Sequence, residues 1–419
     1  MFTLGKSFKV LVSGQSLANA GDVFYIVALI TSVYNATNSL FYVSLVPVIN
    51  MLGGFLGGLL APLLIDRYKL KKILFNSQLV KTCFLLVLTL YVSLFLSKDT
   101  IVTIYIIIFF ITFLDSFANP ASSALIPQLV TEENILKANS LMSSIHQFIQ
   151  MGGWAGGGIL AAFLHSNGLL ILTFSLYVLS TFLLAFVKVK EKKQSEELEE
   201  LSAKGSKMTS MFEGWRLIVE DKRLRVLHLT LFLGSIASPV WVSSILYPFI
   251  DQRLRVGTEW WGYINTSLLL GLFLAGILAY RQSEFINKNI QNMLLLGGFM
   301  VFLMTILFGI NVNPYLSLLL IFIFGLFEEL RMISIHTIIQ SLVREKLLAK
   351  IYALQSSLIM ATFGISTLMM GILGQRYSIV VVFIVASISL CLSFINLITS
   401  RKYLTLSIDE SSNNFENQL

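Results

Sequence analysis

Long apolar runs separated by short polar joints dominate this chain. They recur at approximately Val10–Tyr34, Phe41–Ile65, Ile73–Leu96, Ile101–Leu125, Leu141–Leu164, Leu169–Val187, Val226–Ile250, Trp260–Tyr280, Met293–Ile310, Tyr315–Leu342, Tyr352–Leu373 and Ile379–Ile398. A helix needs ~20 apolar residues to cross the hydrocarbon of a bilayer, and most of these runs reach that length. The pattern predicts an all-α polytopic membrane protein with twelve transmembrane helices. The one long polar stretch, Lys188 to Arg225, divides six runs from six. The expected organisation is therefore a six-helix bundle over residues 1–187, a linker over 188–225, a second six-helix bundle over 226–400 and a flexible tail over 401–419. Within the linker, MFEGWRLIVEDKRLRVL is amphipathic enough to lie along a membrane surface.

Composition agrees with this reading. With 419 residues, 56% hydrophobic and only 13% charged, the chain has too little polar surface to coat a soluble globule. The net charge of +7 does not point to nucleic acid, because the basic residues sit in short joints between spans. Nearly all of them fall on the side that carries both termini. Only Lys98, Arg253, Arg255 and Arg376 fall on the other side, and Lys81 and Arg331 lie within spans. That asymmetry predicts cytoplasmic termini. Lys6 and Lys9 lead straight into the first run with no small-residue cleavage pattern, so a retained helix is expected there rather than a signal peptide. Cys83 and Cys391 lie inside runs and read as ordinary buried thiols.

Charge within the spans is the main functional signal. An ionised side chain at the centre of a membrane helix costs ~2.5–3.5 kcal/mol on insertion scales, so it normally meets a partner or a wet cavity. Asp22, Asp115, Glu328, Glu329 and Arg331 are placed in this way. On a helix Glu328 and Arg331 share a face, while Glu329 points elsewhere. The pair is either a working site or a fixed structural ion pair; in the second case Glu329 is the better proton carrier. Asp22 likewise has a structural alternative, bridging helices. Lys81 is expected to snorkel to the surface. His146, His228 and His336 lack ligand spacing, so no metal site is expected. Phe24, Tyr25, Phe113, Phe117, Trp241 and Tyr247 are candidates for stacking on an amphipathic or cationic cargo, whereas Trp260 and Trp261 read as an interfacial belt.

The chain also repeats itself. Laying Leu129 on Leu342 matches Leu129, Val130, Glu132, Lys137, Leu141, Ser143 and Ser144 with Leu342, Val343, Glu345, Lys350, Leu354, Ser356 and Ser357, and sets Asp115 on Glu328. Two halves with an acid at one equivalent mid-membrane position suit a transporter whose repeats rock about a central site.

These features together resemble the major facilitator superfamily. The joint after the second run, APLLIDRYKLKKIL, is similar to its basic loop motif at Asp66, Arg67, Lys71 and Lys72, with Pro62 in place of a glycine and Leu70 in place of an arginine. The resemblance implies a latch between the bundles at the cytoplasmic face. The second half keeps a degenerate copy, with Gly276 and Arg281 but no aspartate. Asn19-Ala20-Gly21-Asp22, Asn119-Pro120-Ala121, Pro127 and Ala138-Asn139 resemble the bacterial drug-efflux branch that includes macrolide exporters. Gly153, Gly157 and Gly158 in the fifth run resemble the glycine-rich antiporter motif, with Trp154 at its usual proline; close helix packing is the simpler account of these glycines.

The resemblance implies a secondary active transporter in a bacterial cytoplasmic membrane, a monomer with no cofactor that draws on a proton gradient. The expected activity is proton-coupled antiport, an efflux of small amphipathic or cationic compounds by alternating access between the bundles, with Asp22, Asp115, Glu328, Glu329 and Arg331 lining the one cavity where proton and substrate bind. A siderophore-like metabolite exporter or a lipid transporter of the same fold is the alternative. A non-transporting receptor is the rival from another class. No Walker loop, HExxH or GxSxG is present, so an enzyme is not expected.

Overall fold

The computed structural model describes residues 4–97, 100–189, 207–241, 243–343 and 345–404. The expected tail beyond residue 404, the mixed-charge start of the linker over 190–206, and Lys98 lie outside them.

The first half consists of α1 (Lys6–Thr37), α2 (Leu40–Arg67), α3 (Leu70–Phe95), α4 (Ile101–Leu129), α5 (135–164) and α6 (166–185). The last two form one continuous helix, Ile135–Ala185, broken only at His165, whose φ of 54° is non-helical. That single left-handed residue turns the chain where the sequence reading expected a loop. The linker supplies α7 (Lys207–Glu220). The second half has α8 (Lys222–Ala237), continued by a 3₁₀ turn Ser238–Trp241 and the short α9 (Ser243–Phe249), then α10 (Trp260–Arg281), α11 (Ser283–Lys288), α12 (Ile290–Ile310), α13 (Pro314–Leu342), α14 (Glu345–Arg376) and α15 (Ile379–Thr399).

Among the described residues, ten helices are long and apolar enough to cross a membrane. Two further spans complete twelve among the described residues: α5, fused to α6, and α13, which carries Glu328, Glu329 and Arg331 together. The start of α8 lies inside the expected linker. The side chain of Asp221 caps it, accepting from the backbone N–H groups of Arg223 at 2.7 Å and Leu224 at 3.2 Å, which places the helix start four residues before the apolar run.

Alternation of the spans collects both ends of the described chain, the 67–70 and 129–135 joints and α7 at one end, called the linker end below. Contacts bear this out: Gly5 lies by the carbonyl of Leu129, and the Lys222 ammonium sits 5.2 Å from the Tyr403 ring. At the linker end a single buried core takes residues from both halves, including Ala61, Ile65 and Leu125 with Ile335, Ala349 and Ala353. Toward the far end it gives way to two separate cores. One joins Tyr25, Leu85, Ile108 and Leu169 of the first half, the other Phe249, Phe308, Ile321 and Phe383 of the second.

The seam between halves follows the same division. Helices α5 and α10 meet at Ser144 on Gly276 and at Phe148 with Phe273, while a Cβ added at Gly152 or Gly262 farther along would meet no neighbouring helix within 4 Å. Helices α2 and α14 meet at Gly58 on Ser357, Gly54 on Met360 and Met51 on Gly364. Beyond these, Val48, Leu368 and Ile372 are exposed. The bundles are thus closed on each other at the linker end and parted at the far end.

Small residues permit the closest crossings inside a bundle as well. A Cβ at Gly325 of α13 would lie 2.6 Å from the Leu268 carbonyl of α10, and one at Gly271 would overlap the Phe322 carbonyl. Backbone cannot yield as a side chain does. Gly325→Val is therefore expected to lower the stability of the detergent-purified protein by ~1–3 kcal/mol. Thermal unfolding followed by tryptophan fluorescence would measure it, and an unchanged midpoint would refute the tight crossing.

Candidate functional site

Asp22 on α1 and Asp115 on α4 converge on one cation, Lys81 of α3. Its ammonium lies 2.7 Å from Asp22 Oδ1 and 2.5 Å from Asp115 Oδ1. The Tyr177 hydroxyl of α6 donates to Asp22, and the Lys81 ammonium sits 4.7 Å from the centre of the Tyr177 ring. One turn beyond Asp22, Tyr25 donates to Asn50 of α2 at 3.1 Å. The snorkelling expected of Lys81 is overturned. Two carboxylates within reach outweigh a climb of ~13 Å along the helix to the surface.

Exposure divides this cluster. The Lys81 side chain is 1% exposed, whereas those of Asp22 and Asp115 are 27% and 21% exposed. The cation is sealed on the dry side while each acid keeps an open edge. Helices α4 and α5 border the seam, and His146 of α5 is exposed and within electrostatic reach of Asp22. Two ionised carboxylates on one ammonium leave one negative charge in excess.

The second half repeats the arrangement with a single acid. Arg331 donates through Nε to Glu328 Oε2 at 2.9 Å and through Nη2 to Oε1 at 2.8 Å. Arg331 is 3% exposed and Glu328 23%. Two glycines make room for the guanidinium group. A Cβ at Gly297 of α12 would lie 2.8 Å from Arg331 Cβ, and one at Gly234 of α8 would lie 3.4 Å from Nη2. This forked pair is charge-neutral.

Glu329 belongs to neither group. It is buried at the seam and accepts hydrogen bonds from Ser143 and, at 3.1 Å, from Gln147, both on α5 of the other half. Nearer the linker end the zip continues with Asn139 donating to Thr337 at 3.1 Å and to Gln340 at 2.7 Å, and Gln340 donating to the Ser123 carbonyl at 3.2 Å. The five residues expected around one cavity are therefore sorted into a triad with Lys81, a closed pair, and a seam contact.

At the linker end, the basic-loop residue Asp66 meets Lys350 of α14, whose ammonium also lies 2.6 Å from Glu213 of α7. Lys350 is nearly fully buried. One lysine thus ties the first bundle, the linker helix and the second bundle together. Gly214 of α7 packs on Leu354, and Ile218 is buried in the shared core. Arg67, Lys71 and Lys72 form no ion pair among the described residues. In the other half Tyr280 occupies the place of Asp66, and Lys137, the repeat partner of Lys350, lies 5.2 Å from its ring. The degenerate motif has exchanged an ion pair for a cation–π contact.

In the glycine-rich stretch, Gly153 and Gly157 seat α5 on Val23 and Val27 of α1, while Gly158 has nothing close. Trp241 packs among Phe308, Phe324 and Phe383 rather than standing free for cargo. No group of His, Cys, Asp or Glu among the described residues has the arrangement of a metal site. Sequence reasoning weighed Lys81 as a counter-charge to the acids but preferred the surface for it, read Cys83 as buried although it is exposed, and missed Tyr177, Lys350 and Glu213 as partners. The repeat, which pairs Lys350 with Lys137, was a usable signal for one of them.

The family model described as Major Facilitator Superfamily matches residues 11–360. The Bacillus subtilis protein YfmI, described as an uncharacterized MFS-type transporter, is 29% identical over 392 residues, 94% of this chain and 96% of its own. The enterobactin exporter EntS of Escherichia coli is 22% identical over 334 residues, 78% of this chain and 76% of its own. Among solved structures, the transporter FucP in its outward conformation superimposes with a TM-score of 0.74 at 13% identity, covering 96% of this chain and 99% of FucP.

Proposed function

Because the chain belongs to the major facilitator superfamily, a family of multi-pass membrane transporters, we propose that it is a proton-coupled exporter of small cationic amphipathic compounds, working by alternating access. The observation that carries this reading is the Asp22–Lys81–Asp115 triad, one buried cation shared by two partly exposed carboxylates, which carries one negative charge in excess when both acids are ionised. A proton or a cationic cargo can cancel that charge, but both together would overshoot it. Competition for one charge couples their opposed movement. The distribution of Lys and Arg supports a cytoplasmic linker end. The separated far ends then face outward, a geometry in keeping with the fold's likeness to outward FucP. The resemblance of Asn19-Ala20-Gly21-Asp22 to the macrolide-type branch favours drug-like cargo.

Proteoliposomes holding a fluorescent organic cation test this reading. An imposed pH gradient is expected to drive its movement in the wild type, and Asp115→Asn, which removes the excess charge while keeping shape, is expected to reduce that movement to the leak rate. Undiminished gradient-driven flux in the variant would remove the triad from the mechanism. The likeness to EntS supports a second reading, export of an iron-chelating metabolite. Export of a catecholate siderophore with no flux of organic cations would favour it.

A further inference from the structure

We propose that the linker end of the second bundle holds an anionic phospholipid, with its phosphate between the start of α8 and the turn after α15 and its chains along the exposed faces below. Two depressions of about 510 and 270 Å³ flank the 3₁₀ turn Arg401–Tyr403. Arg401 and Lys402 line the first; Lys222, Arg225, Ser400 and Tyr403 line the second. No carboxylate lines either one among the described residues. The nearest acid in sequence, Asp221, is committed to capping α8 and lies 3.6 Å from Arg223.

Basic side chains gather around Tyr403. Lys222 and Lys402 lie 5.2 and 5.0 Å from the ring of Tyr403. Hydrogen bonding from Lys402 and the charge of Lys222 hold the Tyr403 phenol below its ordinary range. Tyr403 follows the last span, at the membrane surface, where a headgroup would sit.

Charge alone would be satisfied by the general excess of cations on this side. The shape adds a second argument. Each depression has one exposed aliphatic wall: Ile398 in the first and Leu229, one helical turn below Arg225, in the second. Below them on α15, Leu392 and Ile395 are also exposed. A basic mouth above exposed aliphatic side chains complements a phosphate joined to acyl chains, and basic recesses between spans are the usual seats of such headgroups. A free phosphate would use only the mouth.

Native mass spectrometry of the purified full chain is the test, with phosphatidylglycerol and phosphatidylcholine added at equal concentrations. The wild type is expected to retain phosphatidylglycerol preferentially. Lys222→Gln/Arg225→Gln/Arg401→Gln is expected to lose roughly tenfold of that retention or more, with phosphatidylcholine unaffected. Lys222→Arg/Arg225→Lys, which keeps the charge, is expected to behave as the wild type, and gel filtration of each variant guards against misfolding. If the triple variant does not fold, Arg401→Gln alone is expected to reduce the preference. Equal retention of the two lipids by the wild type, or an unchanged preference in the folded neutral variants, would overturn the site. Glycerophosphoglycerol and inorganic phosphate serve as competitors. Displacement of the lipid by either at equal concentration would assign the mouth to a soluble phosphate and overturn the lipid.

Discussion

Lys81→Met is expected to abolish gradient-driven transport and to destabilise the first bundle by ~3–5 kcal/mol, the usual result of removing one partner from a buried ionic group. The reason lies in the geometry. Asp22 and Asp115 share a single ammonium that is itself 1% exposed, so no water stands ready to replace it from behind. Without the cation two carboxylates face each other, and only protonation of one or both relieves the repulsion. Under the proposed exchange, the bundle then holds its proton and no longer trades it for cargo. A second substitution separates stability from mechanism: Lys81→Met/Asp115→Asn removes the repulsion and is expected to recover most of the thermal stability but none of the coupled flux. Recovery of both would mean that the triad serves folding alone.

Lys350→Met is expected to open the linker end. This lysine holds Asp66 of the first bundle and Glu213 of α7, so its loss frees three segments at once. The readout is alkylation of Ser357→Cys, placed under Gly58 at the α2–α14 crossing, in protein lacking Cys83 and Cys391. A water-soluble maleimide is expected to react at least ~10-fold faster when Lys350→Met is added, the population change that ~1.4 kcal/mol produces. Lys137→Met is expected to do much less. Its contact with Tyr280 is a cation–π interaction, worth ~0.5–2 kcal/mol. Equal reactivity in all three backgrounds would refute the asymmetry between the two halves of the latch.

The repeat detected in the sequence has a direct counterpart in space. Ser144 and Ser357, matched by laying Leu129 on Leu342, each fit against a glycine of the opposite bundle, Gly276 and Gly58. Lys137 and Lys350, matched in the same way, each reach the loop-motif position of the opposite half, Tyr280 and Asp66. Local pattern could reveal this because duplication copies a crossing together with its small residues. The twelve spans were legible for a different reason: bilayer thickness imposes one length on every run.

Pairing across helices was not legible. Lys81 looks the same in the sequence whether it climbs to the surface or turns to Asp22 and Asp115. Only the approach of α1, α3 and α4 decides, and apolar periodicity does not set that approach. Glu328, Glu329 and Arg331 were rightly seen as presenting two polar faces. Assigning one face to the Arg331 pair and the other to the seam required knowing that Ser143 and Gln147 lie opposite. The early start of α8 was hidden because Asp221 and the polar residues after it look like linker until the cap is seen.

The most direct test of the central claim is proton release on binding. Purified protein in weakly buffered detergent is titrated with an organic cation while a pH dye follows the solution. At a pH low enough for the triad to carry its proton, about one proton is expected to appear per cation bound, since each neutralises the same charge on the triad, and Asp115→Asn is expected to release none. Saturable cation binding with no proton released, at any pH where the wild type stays folded, would contradict the account.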